Sequence, residues 1–290
     1  MYAITGATGR VGGAVVKELL ESGHGVRVIV RDPARADTWT RQGAEIAVAD
    51  FQDVEGLERA FRGVEGVFVM VPANFAPSPG FPETTAIVNT LSKALSAAAP
   101  PKIVCLSSIG AQRSRGLGLI TALHILETGL SEVQAPLAFL RPGWFMENAA
   151  WDVASARQTG EISSFLQPLD RPVPMVATAD IGRVAAETLL ETWTGKRIIE
   201  IEGPKPVSPN DMAAAFGHCL GRPVMASAVP HDRWADIFDA QGTRWPQPRI
   251  DMLDGFNNGW IAFEGAGAEH RFGRFTFDDV AKDLMAPGTP

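Results

Sequence analysis

The chain opens on an apolar run, Tyr2 to Thr5, that breaks at Gly6, Gly9 and Gly12 and resumes with Val11, Ala14, Val15, Leu19 and Leu20 at helical spacing. A short continuous apolar run predicts a strand buried on both faces, and the 3.6-residue recurrence predicts a helix through Ser22. The alternation then repeats. Strands are predicted at 26–30, 44–49, 66–71, 102–106 and 137–140. Helices are predicted at 54–61 behind Asp53 as N-cap, at 84–98 with Ile87, Val88, Leu91 and Leu95 on one face, and through Glu127 after the glycine-rich stretch 114–118. This order predicts an α/β fold built on a doubly wound parallel sheet with right-handed crossovers.

Beyond residue 150 the pattern changes. A helix is expected at 151–157, then a loop carrying Pro168, Pro172 and Pro174, then a helix capped by Asp180 and running to Glu191. A strand at 198–201 follows, and a helix that opens at Ser208 and ends at Gly221. The remainder to Pro290 reads as mixed helix and loop, with Trp234, Phe238, Trp245, Phe256, Trp260 and Phe263. The expected division is a nucleotide-binding domain over 1–150 and a smaller α+β substrate-side domain over 151–290. Residues 180–203 are expected to pack back on the first domain, and the late tryptophans to build the core of the second.

Composition narrows the function. A formal charge of -7 without clustered Lys or Arg argues against a nucleic-acid surface. No apolar run reaches membrane-spanning length, and a strand with its turn occupies the place of a signal peptide, so a cytoplasmic protein without a membrane partner is expected. Cys105 and Cys219 make no disulfide framework; Cys105, inside the run KIVCL, is expected to be a buried core thiol. The five histidines, 24, 124, 218, 231 and 270, have no paired ligand spacing, and no metal is expected.

The glycine spacing carries the chemistry. In a strand–turn–helix, Gly6 permits the tight turn, Gly9 lets backbone approach a pyrophosphate, and Gly12 lets the helix pack close while its free N–H groups face the anion. Gly6, Thr8, Gly9, Arg10, Val11 and Gly12 are the expected dinucleotide contacts. About twenty residues beyond Gly12, where such a fold meets the adenine ribose, stands Arg31, followed by Arg35 and Arg41 and with no competing acid at that strand tip. A guanidinium there suits a 2′-phosphate, hence NADPH/NADP. Asp32 either caps the next helix or touches the ribose. Asp50 is expected on the adenine amino group with Phe51 against the base. Val71, Pro72 and Asn74 are expected to line the cofactor crevice, and Ser107 to reach the nicotinamide or a substrate carbonyl.

TGATGRVGG, Arg31, ADFQD, SSIGA after the fifth strand, LETGL, LRPGWFMEN after the sixth and GRPV from Gly221 together resemble the NmrA-like group of atypical short-chain dehydrogenases. The resemblance spans essentially the whole chain, and LRPGWFMEN at its distance from SSIGA is its most specific part. It implies a Rossmann domain binding NADPH and a smaller C-terminal domain. It also implies one of two functions: reduction of quinones, azo dyes or triphenylmethane dyes, or sensing of cofactor redox state with the signal passed to a protein partner.

One absence selects between chemistries. A typical short-chain dehydrogenase donates its proton from a tyrosine with a lysine four residues later, whereas this chain has a single tyrosine, Tyr2, and no lysine between Lys102 and Lys196. The lysine of the isoflavone-reductase branch is missing too. Carbonyl reduction makes a basic alkoxide that needs an acid; hydride addition to a quinone makes a stabilised phenolate that water can protonate. The expectation is therefore a small aromatic acceptor of quinone or azo type. His124, oriented by Glu127, and Ser107 are the remaining catalytic candidates, and Phe75, Ile109, Trp144 and Phe145 the expected pocket lining.

Overall fold

The computed structural model describes residues 1–286; the last four, which the sequence reading placed in the C-terminal domain, lie outside the described residues. The first half runs β1 (Tyr2–Thr5), α1 (Arg10–Glu21), β2 (Val26–Val30), α2 (Asp37–Arg41), β3 (Glu45–Val48), α3 (Val54–Phe61), β4 (Gly66–Val69), α4 (Pro82–Ala98), β5 (Ile103–Leu106), α5 (Thr121–Leu130) and β6 (Leu137–Pro142). The second runs β7 (Trp144–Phe145), α6 (Val153–Thr159), β8 (Glu161–Ser164), β9 (Met175–Val176), α7 (Thr178–Leu190), β10 (Lys196–Glu202), α8 (Pro209–Leu220), β11 (Met225–Ala228), α9 (Trp234–Ala240), α10 (Gln247–Asn258), β12 (Glu269–Phe272) and α11 (Phe277–Leu284).

Eight strands form one sheet in the order β12-β10-β6-β5-β4-β1-β2-β3, and every pairing in it is parallel. This is the doubly wound sheet that the alternating pattern predicts. β1, β4 and β5 are buried at every residue because helices cover both faces, which is why they read as unbroken apolar runs. Strand order reverses at β1, so the crevice between the ends of β1 and β4 is where such a sheet takes ligands. There the Thr5 hydroxyl donates to the Phe68 carbonyl and accepts from the Met70 amide, both at 3.2 Å.

The C-terminal half returns to the sheet twice. β10 pairs with β6 from Lys196↔Leu137 to Ile201↔Pro142, and β12 adds to the edge of β10. Helix α7 lies against α1 so closely that a Cβ on Gly182 would stand 2.3 Å from the Ala14 Cβ. The remaining elements enclose a separate apolar cluster in which Trp234, Phe216 and Phe238 are fully buried. α8 opens on a capping box of Ser208 and Asp211 and stops at Gly221 with φ +63°, as its sequence signals predict.

Asp180 departs from expectation. It lies inside α7 rather than capping it: its buried carboxylate accepts the amides of Arg274 (2.9 Å) and Phe275 (3.0 Å) and pairs with Arg183. The α7 N-terminus is satisfied instead by Glu147, which accepts the Thr178 amide at 2.8 and 3.0 Å and its hydroxyl at 2.7 Å. A carboxylate from a distant segment does the work that local spacing assigned to Asp180.

Cys105 is fully buried, and burial pushes its thiol pKa well up; Cys219 is exposed. Iodoacetamide is therefore expected to label Cys219 in the native protein and Cys105 only after unfolding, read by mass spectrometry. Replacing Gly182 by Ala forces a methyl into the α1–α7 contact, and denaturant unfolding is expected to show a loss of about 1–3 kcal/mol.

Candidate functional site

The C-terminal ends of the central strands gather most of the sequence-predicted residues along one rim. Gly6 turns the chain at φ +69°, and Gly9 precedes α1 with extended backbone and no side-chain cap, which leaves the first amides of the helix open. A Cβ on Gly12 would lie 2.3 Å from the Gly6 carbonyl oxygen, so only glycine lets the helix start this close to the turn. Thr8, Gly9 and Arg10 are exposed on this cradle, while the Val11 side chain is in the core and offers only its amide outward. Trp39 of α2, which no local signal marks, donates its indole N–H to the Ala7 carbonyl at 3.0 Å and holds the turn from outside.

Arg31 stands at the β2 tip with its side chain 71% exposed. Its Nε lies 3.9 Å from Asp50 Oδ2, an acid brought over from the end of β3. The expectation of no competing acid is thus corrected: none is adjacent in sequence, but register supplies one. At this exposure and distance the pair is weak. Asp50 also accepts the Gln52 amide at 2.9 Å, and Phe51 is half-buried beside it. Asp32 takes the capping role, accepting the Ala34 amide at 3.0 Å.

At the β4 end Val71 is buried, and Pro72, Asn74 and Phe75 are exposed; the Asn74 carbonyl oxygen accepts the Ala76 amide at 3.0 Å. Phe75 meets Trp151 edge-to-face at 6.0 Å, and Trp144 meets Phe256 at 5.2 Å. Trp144 and Phe145 are half-buried in β7. Ile109, expected on the pocket wall, is instead fully buried core.

The catalytic candidates are arranged differently from the sequence reading. Ser107 is buried and donates its hydroxyl to Glu127 Oε1 at 2.5 Å, so its proton is committed within the protein. Glu127 does not orient His124. It receives Arg141 through two parallel hydrogen bonds, Nε at 2.8 Å and Nη2 at 2.7 Å, while Arg141 Nη1 reaches Glu264 at 2.6 Å. His124 Nδ1 lies 2.9 Å from the Ala111 carbonyl, which requires a proton on Nδ1 and leaves Nε2 as the free nitrogen. His124 and Glu127, three apart on α5, point their polar atoms to different partners, and spacing alone could not separate these outcomes.

The chain of hydrogen bonds from buried Ser107, Glu127 and Arg141 to exposed Glu264 extends to Glu200 of β10, whose carboxylate accepts the amides of Glu264 (2.5 Å) and Gly265 (3.2 Å). It ties the end of β5 to the C-terminal segment. Burial lowers the Arg141 pKa, but the hydrogen bonds and charges of Glu127 and Glu264 together outweigh it and raise it. Among the described residues, no group of three or more His, Cys, Asp or Glu is placed to hold a metal ion, and no helix is long and apolar enough to cross a membrane.

Comparison with known proteins places the chain in context. The model of the NmrA-like family matches residues 2–247. An NAD(P)H azoreductase of Xenophilus azovorans is 28% identical over 255 residues, 88% of this chain and 85% of that protein. Quinone oxidoreductase 2 of Escherichia coli K12 is 27% identical over 256 residues, 87% of this chain and 85% of that one. Among solved structures, an NADPH-dependent quinone oxidoreductase of Escherichia coli complexed with NADPH superposes with TM-score 0.80 at 24% identity, covering 99% of this chain and 100% of the other. A Citrobacter sp. triphenylmethane reductase complexed with NADP(H) gives 0.78 at 20% identity, over 98% and 99%. The structural likenesses speak to the fold.

Removing Glu127 would leave Arg141 buried with one partner fewer. Glu127→Ala is expected to destabilise by about 3–5 kcal/mol in urea unfolding, and Glu127→Gln by less. Asp152, next to Trp151, has its pKa pushed up to about 7 by burial. The carboxyl thus holds its proton more tightly folded than unfolded. Its contribution is full below the unfolded pKa of about 4 and is lost as pH rises through about 7. Asp152→Asn is therefore expected to match the wild type near about pH 4 and to exceed it by about 1–3 kcal/mol near about pH 8, in thermal melts across that range.

Proposed function

This chain belongs to the NmrA-like family, and on that basis we propose that it is an NADPH-dependent oxidoreductase whose acceptor is a quinone-like or azo-like aromatic molecule. The observation that carries the reading is the uncapped start of α1 against a turn only glycine can make, with a cation at the tip of the next strand. This cradle fits a dinucleotide: the amides of Arg10, Val11 and Gly12 face a diphosphate, and Arg31 faces a 2′-phosphate. The Arg31–Asp50 pair is loose enough to open, which lets Arg31 turn to the phosphate while Asp50 and Phe51 hold the adenine side. The relatives named above, an azoreductase and a quinone oxidoreductase, support the same assignment.

When bound, NADPH supplies the hydride. The residues supply binding and shape rather than a strong acid. Tyr2, the only tyrosine in the sequence, sits at the start of β1, at the opposite end of that strand from the Gly6 turn, with its hydroxyl 3.5 Å from Glu65. Lys102 donates to the carbonyls of Leu189 (2.9 Å) and Glu191. Ser107 is spent on Glu127, and His124, its Nδ1 held by the Ala111 carbonyl, keeps Nε2 without a partner among the described residues. An acceptor whose reduced form is a stabilised phenolate matches this inventory, because water can complete its protonation. Exposed Phe75 and half-buried Trp144 offer ring surface for a flat acceptor.

The test is NADPH oxidation followed by absorbance with benzoquinones, naphthoquinones and azo dyes, beside calorimetry with NADPH, NADP⁺ and NADH. Turnover of at least one acceptor is expected. Tight nucleotide binding with no turnover on any would favour a redox sensor with a protein partner, and no nucleotide binding would remove both readings. Arg31→Ala is expected to weaken NADPH by about ten- to a hundredfold while leaving NADH within about twofold. Equal losses for the two would show that Arg31 does not read the phosphate.

A further inference from the structure

Arg249 is a buried guanidinium with no carboxylate paired to it among the described residues. It lies in the first turn of α10 and is 8% exposed. Its Cζ is 4.1 Å from the ring centroid of Phe238, with the rings of Trp151 and Phe75 at 5.5 and 5.9 Å. Nη1 donates to the neutral Gln241 amide oxygen at 2.6 Å. Among the described residues no acid pairs with it, and burial lowers its pKa with no opposing charge. Nε and Nη2 have no hydrogen-bond partner there, yet neither is sealed from solvent. The face of the guanidinium is used by Phe238, while the Nε–Nη2 edge, the geometry that receives a carboxylate in two parallel bonds, has no partner among the described residues.

Packing alone does not account for this residue. A buried charge without a counter-ion is unfavourable, and an apolar side chain would cover Phe238 without that penalty. Arg141 shows the usual solution, with two glutamates on its guanidinium. The surroundings of Arg249 face the rim of the sheet. Phe75 leaves the end of β4 and Trp151 follows β6, and both rings are largely exposed. A cleft of about 570 Å³ opens between segments 76–79 and 242–245; Arg249, Phe75 and Trp151 do not line it, but it is adjacent in sequence to Phe75 and to the Gln241 that Arg249 bonds, and its lining includes Arg244 and Trp245 and no acid. That volume suits a molecule of two or three fused rings.

We propose that Arg249 is the anion-recognition residue of the acceptor site, and that the acceptor is a flat aromatic molecule bearing a carboxylate or sulfonate. The anion binds the open guanidinium edge while the ring system packs on the exposed faces of Phe75 and Trp151. This rests on the oxidoreductase reading, since it names the class of acceptor for the same site.

The experiment separates the two claims by measuring binding instead of turnover. Calorimetry of the intact protein, with and without saturating NADP⁺, compares 2-naphthoate with the neutral isostere 2-naphthamide. The naphthoate is expected to bind at least about tenfold more tightly, and the preference to shrink as salt is raised. In Arg249→Gln the preference is expected to vanish, with naphthamide and NADP⁺ affinities within about twofold of the wild type. Equal affinities in the wild type overturn the proposal, and that comparison stands even if the variant does not fold. A preference that survives Arg249→Gln, or a variant that loses NADP⁺ instead, overturns it as well. Failure of NADP⁺ itself to bind the wild type would strike the cofactor reading and leave the naphthoate comparison intact.

Discussion

Helix α1 begins within contact distance of the turn that feeds it, and the geometry tolerates no side chain at position 12. A methyl there would overlap the Gly6 carbonyl and force the helix away from β1. Held close, the helix directs amides that have no internal partner toward the crevice where the strand order reverses. The proposed dinucleotide cradle is thus formed by backbone, and the side chains around it are the ones proposed to choose which dinucleotide. Trp39 holds the turn from one side through the Ala7 carbonyl, and Thr5 links β1 to β4 on the other.

Distant segments of the second half are bound to one another by carboxylates that reach across it. Glu147 closes the start of α7, Asp180 within α7 holds the amides of Arg274 and Phe275, and Glu200 in β10 holds those of Glu264 and Gly265. Each satisfies donors that would otherwise be left unpaired where two segments of irregular backbone meet the sheet. Through Glu264 and Arg141 this linkage arrives at Ser107, at the end of β5. A change far along the chain therefore bears on the geometry of the rim.

Two arginines show how differently one residue type is used. Arg141 is buried among acids and is part of the frame. Arg249 is buried among rings, with no acid paired to it among the described residues. A fold seldom leaves a desolvated cation without a counter-charge unless something else brings one.

The alternation of apolar runs and helical patterns determined seven of the sheet's eight strands, because strands buried on both faces and amphipathic helices leave clear periods in a sequence, whereas the exposed edge strand β12 lies in a stretch that reads as mixed helix and loop. The glycine cradle was legible for the same reason: positions 6 and 12 admit nothing else. Pairings between distant residues left no such trace. That Asp180 serves residues 274 and 275 instead of its own helix, that Glu127 turns to Arg141 instead of His124, and that Asp50 comes to face Arg31 all depend on strand register and helix packing. These set side chains side by side that lie 14 to 95 positions apart. Local sequence limits what a carboxylate is able to do; only the tertiary structure decides which donor it meets, because that choice is made by distance in space.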